Sequence, residues 1–175
     1  ALKMLALIGS PARYPESVDA WANGEALTID DMKGKVVLLD FFAIWCGPCV
    51  ATFPQLKNWH DHYSDRGLHI VGVSRYYEYG WDDEKSRPVR DRKIEPELER
   101  EAMEQFLKHH ELQHRIAYVT DSDLQEHYLV SGIPHVVLID RAGKVRLFRI
   151  GSNRQNAVDL EEAIVECIEE PLTSQ

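Results

Sequence analysis

Apolar runs along the chain predict the strands of a buried β-sheet. Four of them are rich in β-branched and aromatic residues, which suits strands that are buried on both faces. They occupy 36–42, 68–74, 115–120 and 135–140. A fifth run, 145–150, follows the turn at 141–144 and predicts an antiparallel hairpin partner.

Apolar residues at helical spacing predict helices between the strands. The first helix joins 36–42 to 68–74 and ends at Gly67, which makes a right-handed βαβ unit with parallel strands. Pro54 should kink it, because a proline ring clashes with the carbonyl four residues earlier. Further helices are expected over 96–110, after Asp121 or Asp123, and along a last apolar face. That face is formed by Ala157, Leu160, Ile164 and Cys167.

Two segments interrupt this α/β order. Residues 1–32 predict an irregular lead-in with one strand, and 76–95 predict a long loop inserted after the βαβ unit. The insert carries four aromatic residues that form either a wall for a partner protein or anchors for the loop itself. They are Tyr76, Tyr77, Tyr79 and Trp81. We expect 1–175 to form a single α/β domain with this insertion.

Composition narrows the function classes. The chain has 175 residues, of which 44% are apolar and 28% charged, enough to form a core. A formal net charge of −9 argues against nucleic acid or anionic lipid as a partner, since both require clustered basic residues. No apolar run approaches the length of a membrane span. The sequence begins at Ala1 and shows no targeting segment, so it does not predict the cellular compartment.

The strongest chemical signal is the C-x-x-C motif of Cys46 and Cys49 at the start of the first helix. This spacing permits a disulfide, and we expect Cys46 to project toward solvent at the helix end. Unpaired N–H groups and the helix dipole favour a thiolate at Cys46. Cys46 would attack a partner disulfide and Cys49 would resolve the mixed disulfide, which indicates thiol-disulfide exchange.

Resolution requires a base, because a buried Cys49 thiol has a raised pKa. Asp40 ends an otherwise apolar strand. A buried carboxyl there would have a raised pKa and could accept the proton near neutral pH. The alternative is an acid at the solvent edge of the sheet, and local sequence alone leaves both open.

The segment 40–49, together with Pro54 and the late Gly132-Ile133-Pro134, resembles thioredoxins. The phrases 8–12, 33–39 and 138–144 look more like the TlpA/ResA branch, so the resemblance spans nearly the whole chain. It implies a thioredoxin fold, a central mixed sheet flanked by helices. It also implies an extracytoplasmic protein, periplasmic, secreted or membrane-tethered.

The resemblance assigns roles to individual residues. It implies that Cys46 attacks, Cys49 resolves, Asp40 accepts the proton, and Pro134 is a cis-proline that faces the disulfide. It also implies that Ile133 offers its backbone to an extended substrate, with further substrate contacts at Trp45, Gly47 and Pro48. Phe42 departs from the family, because thioredoxins usually have tryptophan there. The Gly-Pro pair and the acid favour a reductant over an oxidant.

The resemblance implies two kinds of partner: disulfide-containing or dithiol proteins, and an upstream thiol donor. It also implies a monomer without a cofactor. A zinc module would need a second ligand pair, and a peroxiredoxin would need Thr or Ser at Ala43. A redox-inert interaction domain is the main non-enzyme alternative, although such domains usually lose one cysteine. The late histidines fit no metal signature; they are His109, His110 and His114. Cys167 fits none either and is expected to be buried and inert.

Two further interpretations concern charged and titratable positions. The acidic run 97–104 is most simply a solvated helix face. His135, which follows Pro134, either tunes the Cys46 thiolate or, more commonly for such a position, packs or faces solvent.

Overall fold

The computed structural model describes residues 2–172 and is built on a six-stranded mixed sheet with strand order β1-β6-β3-β2-β7-β8. The predicted α/β class is confirmed. The six strands are β1 (Val18–Ala22), β2 (Val36–Phe41), β3 (Leu68–Ser74), β6 (Arg115–Val119), β7 (His135–Ile139) and β8 (Val145–Ile150). Two more strands, β4 (Tyr79–Asp82) and β5 (Arg87–Arg90), form a separate hairpin.

The strand pairing places several chain segments at one edge of the sheet. β2, β3 and β6 run parallel, so their carboxyl ends meet there. β7 is antiparallel to β2, with His135 opposite Phe41, so the segment that leads into β7 reaches the same edge. The predicted βαβ unit and the β7–β8 hairpin are confirmed.

The longer helices fall where apolar spacing predicts them. They are α4 (Phe53–Tyr63), α5 (Pro96–His109) and α7 (Arg154–Glu169), and the short ones are α1 (Leu2–Leu5), α2 (Ile29–Met32), α3 (Gly47–Ala51) and α6 (Asp123–His127). Within residues 2–172, no helix has the length and apolar character needed to cross a membrane.

The first predicted helix is divided rather than kinked at Pro54. It breaks at Thr52, whose backbone N–H donates to the carbonyls of Cys49 and Val50, and α4 restarts with Pro54 in its first turn. Proline is favoured there because it needs no hydrogen-bond acceptor in the first turn. The break makes α3 a separate short helix that carries the cysteine motif.

Alternation along β2 divides the core between the two faces of the sheet. Val36, Leu38 and Phe42 belong to the cluster that contains Cys49, Leu56 and Ile164, under α3, α4 and α7. Val37, Leu39 and Phe41 belong to the opposite cluster, which contains Met32, Tyr128 and Val145. β2 is therefore buried on both faces, as its continuous apolar run predicts.

The prediction of a structureless loop over 76–95 is wrong, because the segment contains the β4–β5 hairpin. Trp81 lies opposite Pro88 in the hairpin, and its ring is 6.3 Å from Phe106 of α5. Pro88 is tolerated because a two-stranded ribbon consists only of edge strands. With four residues a strand, the alternation is too short to stand out in the sequence.

The prediction that Asp121 or Asp123 caps the short helix after β6 is only partly correct. The residue that caps α6 is Ser122, whose side chain makes no capping bond to the helix backbone. Asp121 acts one residue earlier, where its Oδ1 accepts from the backbone N–H of Asp123 at 3.0 Å.

Candidate active site

Cys46 and Cys49 form a disulfide at the start of α3, with their Cα atoms 5.2 Å apart. Cys46 is the N-cap residue, and Pro48 lies in the first turn. The backbone N–H of Cys49 donates to Cys46 Sγ at 3.2 Å. A donor directed at this sulfur stabilises negative charge on it, so Cys46 is the better thiolate of the pair once the disulfide is reduced.

The prediction that Cys46 projects toward solvent is wrong. Cys46 is 3% exposed and Cys49 is fully buried. The neighbouring Trp45 is 46% exposed, and Gly47 and Pro48 are exposed as well. The exposed surface next to the buried Cys46 is therefore formed by Trp45 and the Gly-Pro pair.

The Ile133–Pro134 peptide bond is cis, in agreement with the family resemblance. It lies just before β7, at the same sheet edge as the segment that follows β2 and carries the cysteines. A cavity of about 330 Å³ opens beside Pro134 between α4 and α7. Its apolar lining includes Leu56, Trp59 and Val136. Ile133, the residue before Pro134, is half-buried.

Asp40 is completely buried, which decides between the two interpretations of this acid. Among the residues that the structure describes, neither carboxyl oxygen has a hydrogen-bond partner. Desolvation raises the pKa of Asp40 to about 7. Strand alternation places it on the sheet face that packs against Cys49, beside Val136 of the same core cluster. The structure therefore puts a carboxyl that titrates near neutral pH beneath the disulfide helix.

His135 is separated from the cysteines by the sheet. It pairs with Phe41, whose side chain belongs to the opposite core cluster, and the two rings meet edge-to-face at 6.0 Å. His135 is 1% exposed, and neither ring nitrogen finds a partner within 2–172. Desolvation lowers its pKa to about 4. The structure thus shows a packed, neutral histidine rather than a neighbour of the thiolate.

Most aromatic side chains of the insert pack against other residues of this chain, away from the cysteines. Tyr76 stacks on Tyr118 with ring centroids 4.6 Å apart, and Trp81 lies 5.5 Å from His109. Tyr77, however, reaches the site, where its ring meets Trp45 at 90° with centroids 5.7 Å apart. Anchoring is therefore the main role of these aromatics, and Tyr77 joins the insert to the disulfide region.

Glu99 contacts the insert next to the disulfide region, a role that the sequence did not predict. The solvated-face interpretation is wrong at this position, because Glu99 is 4% exposed and its Oε1 accepts from the backbone N–H of Tyr77 at 2.6 Å. A signal was present, since Glu99 precedes Ala102, Met103 and Phe106 at helical spacing on the buried face of α5.

Cys167 is buried and outside any disulfide, as its apolar helix face predicts. Desolvation raises the pKa of this thiol to about 11, which keeps it protonated and unreactive at neutral pH. Of the three cysteines, Cys46 and Cys49 form the disulfide and Cys167 stays outside it.

Comparison with known proteins agrees with this site. The Redoxin family model matches residues 8–164. Thiol-disulfide oxidoreductase ResA of Bacillus subtilis is 31% identical over 123 residues, which cover 70% of this chain and 57% of that protein. ResA of Bacillus cereus is 26% identical over 131 residues, which cover 75% of this chain and 64% of the relative. The chain thus spans roughly three fifths of the length of these relatives.

Solved structures show the same fold. The crystal structure described as a thiol:disulfide interchange protein DsbE from Chlorobium tepidum superposes with a TM-score of 0.67 at 28% identity, covering 92% of this chain and 97% of that one. A thioredoxin-like protein in the oxidized form gives a TM-score of 0.67 at 22% identity, covering 91% and 97%. At 22% identity, the likeness to this second structure shows a shared fold and nothing more. By sequence and fold, this chain belongs to the Redoxin family and, within it, to the TlpA/ResA-type thioredoxin-fold proteins.

Proposed function

We propose that this protein is a thiol-disulfide oxidoreductase that reduces disulfides in partner proteins through Cys46 and Cys49. The observation that carries the proposal is the hydrogen bond from the Cys49 N–H to Cys46 Sγ at 3.2 Å. This bond favours the Cys46 thiolate and supports Cys46 as the attacking residue. The relatives named thiol-disulfide oxidoreductase support the same activity.

The reaction consists of two sulfur exchanges. The Cys46 thiolate attacks one sulfur of the partner disulfide, a mixed disulfide forms, and the other partner sulfur leaves as a thiolate that takes up a proton. Cys49 then loses its proton and attacks Cys46 Sγ, which releases the second partner thiolate. The partner gains two electrons, and the Cys46–Cys49 disulfide seen in the structure is the product.

Asp40 is the proposed base for the second exchange. A buried thiol gives up its proton reluctantly, and Asp40 has a pKa of about 7 on the same buried face as Cys49. A base with a pKa near the working pH is efficient, because it is available in its ionised form and still holds the proton well. When the disulfide is reduced again by an upstream thiol donor, the same carboxyl returns the proton to Cys49.

The substrate segment is proposed to lie across the exposed surface beside Cys46. Trp45, Gly47 and Pro48 form that surface, and the family resemblance implies that the backbone of Ile133, before the cis-Pro134, offers the substrate a pairing edge. An extended polypeptide can pair with such an edge through main-chain hydrogen bonds. This arrangement suits a protein disulfide in an extended or locally unfolded segment.

The extracytoplasmic location and the monomeric state are part of the proposal and rest on the TlpA/ResA resemblance. Both are open to direct test. Labelling of Cys46 by a membrane-impermeant maleimide in intact, reduced cells would support the location, and labelling only after lysis would contradict it. Sedimentation equilibrium at the 20.1 kDa monomer mass would support a monomer.

The experiment that tests the activity is the reduction potential of the Cys46–Cys49 couple, measured by alkylation after equilibration in graded thiol-disulfide buffers. A two-electron transition near about −270 mV, the value for thioredoxin, supports a reductant. A transition near about −120 mV, the value for a strong oxidant, contradicts the reductant direction. A protein without a reversible couple would instead be a redox-inert binding domain.

A further inference from the structure

The contact between Trp45 and Tyr77 joins the insert to the surface that a substrate must cross. Trp45 is 46% exposed and immediately precedes Cys46, so its indole lies where a bound polypeptide would pass. The half-buried Tyr77 ring packs edge-to-face with this indole at an interplanar angle of 90°. Such edge-to-face pairs are favourable and orient both rings. Trp45 is therefore ordered from the insert side before any partner binds.

Glu99 fixes the position of Tyr77. Its carboxylate lies at the buried face of α5 and accepts from the backbone N–H of Tyr77 at 2.6 Å and, more weakly, from that of Tyr79 at 3.5 Å. Carboxylate bonds to backbone N–H groups are stronger than bonds between neutral groups. The bonds hold the first turn of the insert against a regular helix, so the position of Tyr77 depends on α5.

Neighbouring contacts show that this arrangement is specific to Tyr77. Tyr76, one residue earlier, stacks on Tyr118 and donates from its hydroxyl to Asp19. Tyr79, two residues later, carries the Arg90 guanidinium over its ring at 5.5 Å. Both of these tyrosines anchor the insert elsewhere, whereas Tyr77 contacts the residue next to the reactive cysteine.

We propose that Tyr77 is a specificity-determining residue for protein substrates and that Glu99 is a positioning residue that holds Tyr77 against Trp45. The inference rests on the proposed function, because it concerns the same exchange at Cys46. A small disulfide needs access only to the sulfur, whereas a polypeptide must also cover Trp45. An indole that is already ordered loses less freedom on binding, so the Trp45–Tyr77 pair favours the polypeptide.

The test compares a protein disulfide with a small one in the full chain. Tyr77→Leu removes the aromatic ring and keeps apolar bulk, and Tyr79→Leu is the matched control. With insulin as the protein disulfide and dithiothreitol as the electron donor, Tyr77→Leu should raise KM about three- to tenfold and leave kcat nearly unchanged. The rate at which the reduced protein reacts with 5,5′-dithiobis(2-nitrobenzoate) should stay at the wild-type value, as should both measurements for Tyr79→Leu.

Glu99 is tested by a conservative pair of variants and a spectroscopic signature. Glu99→Gln keeps a carbonyl acceptor for the Tyr77 N–H, whereas Glu99→Ala removes it. In protein labelled with 5-fluorotryptophan, the Trp45 resonance, assigned with Trp45→Phe, should shift in Tyr77→Leu and Glu99→Ala and stay near its wild-type position in Glu99→Gln. The KM for insulin should follow the same order.

The outcomes separate this inference from the proposed function. If the wild type reduces insulin but Tyr77→Leu matches Tyr79→Leu in both KM and the fluorine spectrum, Tyr77 has no specificity role. If Glu99→Gln and Glu99→Ala both leave the Trp45 resonance unchanged, Glu99 does not position Tyr77. A wild-type protein that reacts with the small disulfide but leaves insulin oxidised would overturn the proposed function, and the specificity role with it.

Discussion

Asp40 lies directly opposite Gly72 in the parallel pair of β2 and β3. Gly72 has no side chain, and the space beside it is filled from the same core. A Cβ added at Gly72 would come within 3.0 Å of Phe42 Cε1 and would overlap Ile116 Cδ1. The carboxyl group of Asp40 is thus enclosed by apolar groups, which is the physical cause of its raised pKa.

Gly72→Ala should destabilise the protein by about 1 to 3 kcal/mol, because the added methyl group forces Ile116 and Phe42 to move in a packed core. Chemical denaturation of the oxidised protein measures the loss. Gly132→Ala is the matched control, since a Cβ there meets no atom of residues 2–172 within 4 Å. Equal stability of the two variants would show that the core around Asp40 is not tightly filled.

Asp40→Asn should stabilise the oxidised protein at pH 8. The pKa of Asp40 rises from 3.8 to about 7 on folding, so between these values the folded state holds a proton that the unfolded state has lost. Stability therefore falls as pH rises through this window, by about 4 kcal/mol in total, since one pKa unit corresponds to about 1.4 kcal/mol. The asparagine side chain never ionises and avoids this cost.

The measurement is the free energy of unfolding of wild type and Asp40→Asn at pH 8 and at pH 4. The gain should be on the order of a few kcal/mol at pH 8 and small at pH 4, where the wild-type carboxyl is protonated in the folded state. Asp61→Asn, at an exposed position of α4, is the control and should show no such difference. A gain of the same size at both pH values would mean that ionisation of Asp40 is not the cause.

His135→Phe should make the protein more resistant to acid. Burial lowers the pKa of His135 to about 4 from the usual 6.5, so between these values the unfolded state binds a proton that the folded state excludes. Wild-type stability is therefore lost as pH falls through this window, by about 3 kcal/mol in total. Phenylalanine offers Phe41 and Phe148 a ring without this titration.

The check on His135 is the change in unfolding free energy between pH 8 and pH 4.5. Wild type should lose about 2 to 3 kcal/mol more than His135→Phe over this range. His114, which is also buried and has a pKa lowered to about 3, contributes equally to both proteins. Parallel pH profiles for the two proteins would contradict a buried, neutral His135.

Much of the fold could be predicted because its signals are local. The continuous apolar run of β2 predicts a buried strand, and the periodic apolar face of α7 predicts a helix packed against the core. The C-x-x-C spacing at a helix start likewise predicts the disulfide between Cys46 and Cys49. These features need no knowledge of which segments meet in space.

Other features depend on contacts between distant segments. The sequence around Asp40 left burial and a solvent edge open, because the outcome depends on Gly72 and Val136 of the neighbouring strands. In the sequence, Glu99 looks like any other acid on a polar helix. Its role depends on a contact with the backbone of Tyr77, which is 22 residues away in the chain. The low exposure of Cys46 likewise follows from packing around the site rather than from its position at a helix end.

Asp40→Asn should slow the second exchange of the proposed reaction and leave the first one unchanged. Removal of a general base typically costs at least about 10²-fold in rate, whereas the attack by Cys46 does not involve this carboxyl. Rapid-quench measurement of the mixed disulfide separates the two steps, and the intermediate should accumulate in the variant. In wild type the resolving rate should rise through pH about 7 as Asp40 ionises, and the variant should lose that inflection. Resolution at the wild-type rate with the inflection retained would remove Asp40 from the mechanism and leave Cys49 to lose its proton to solvent.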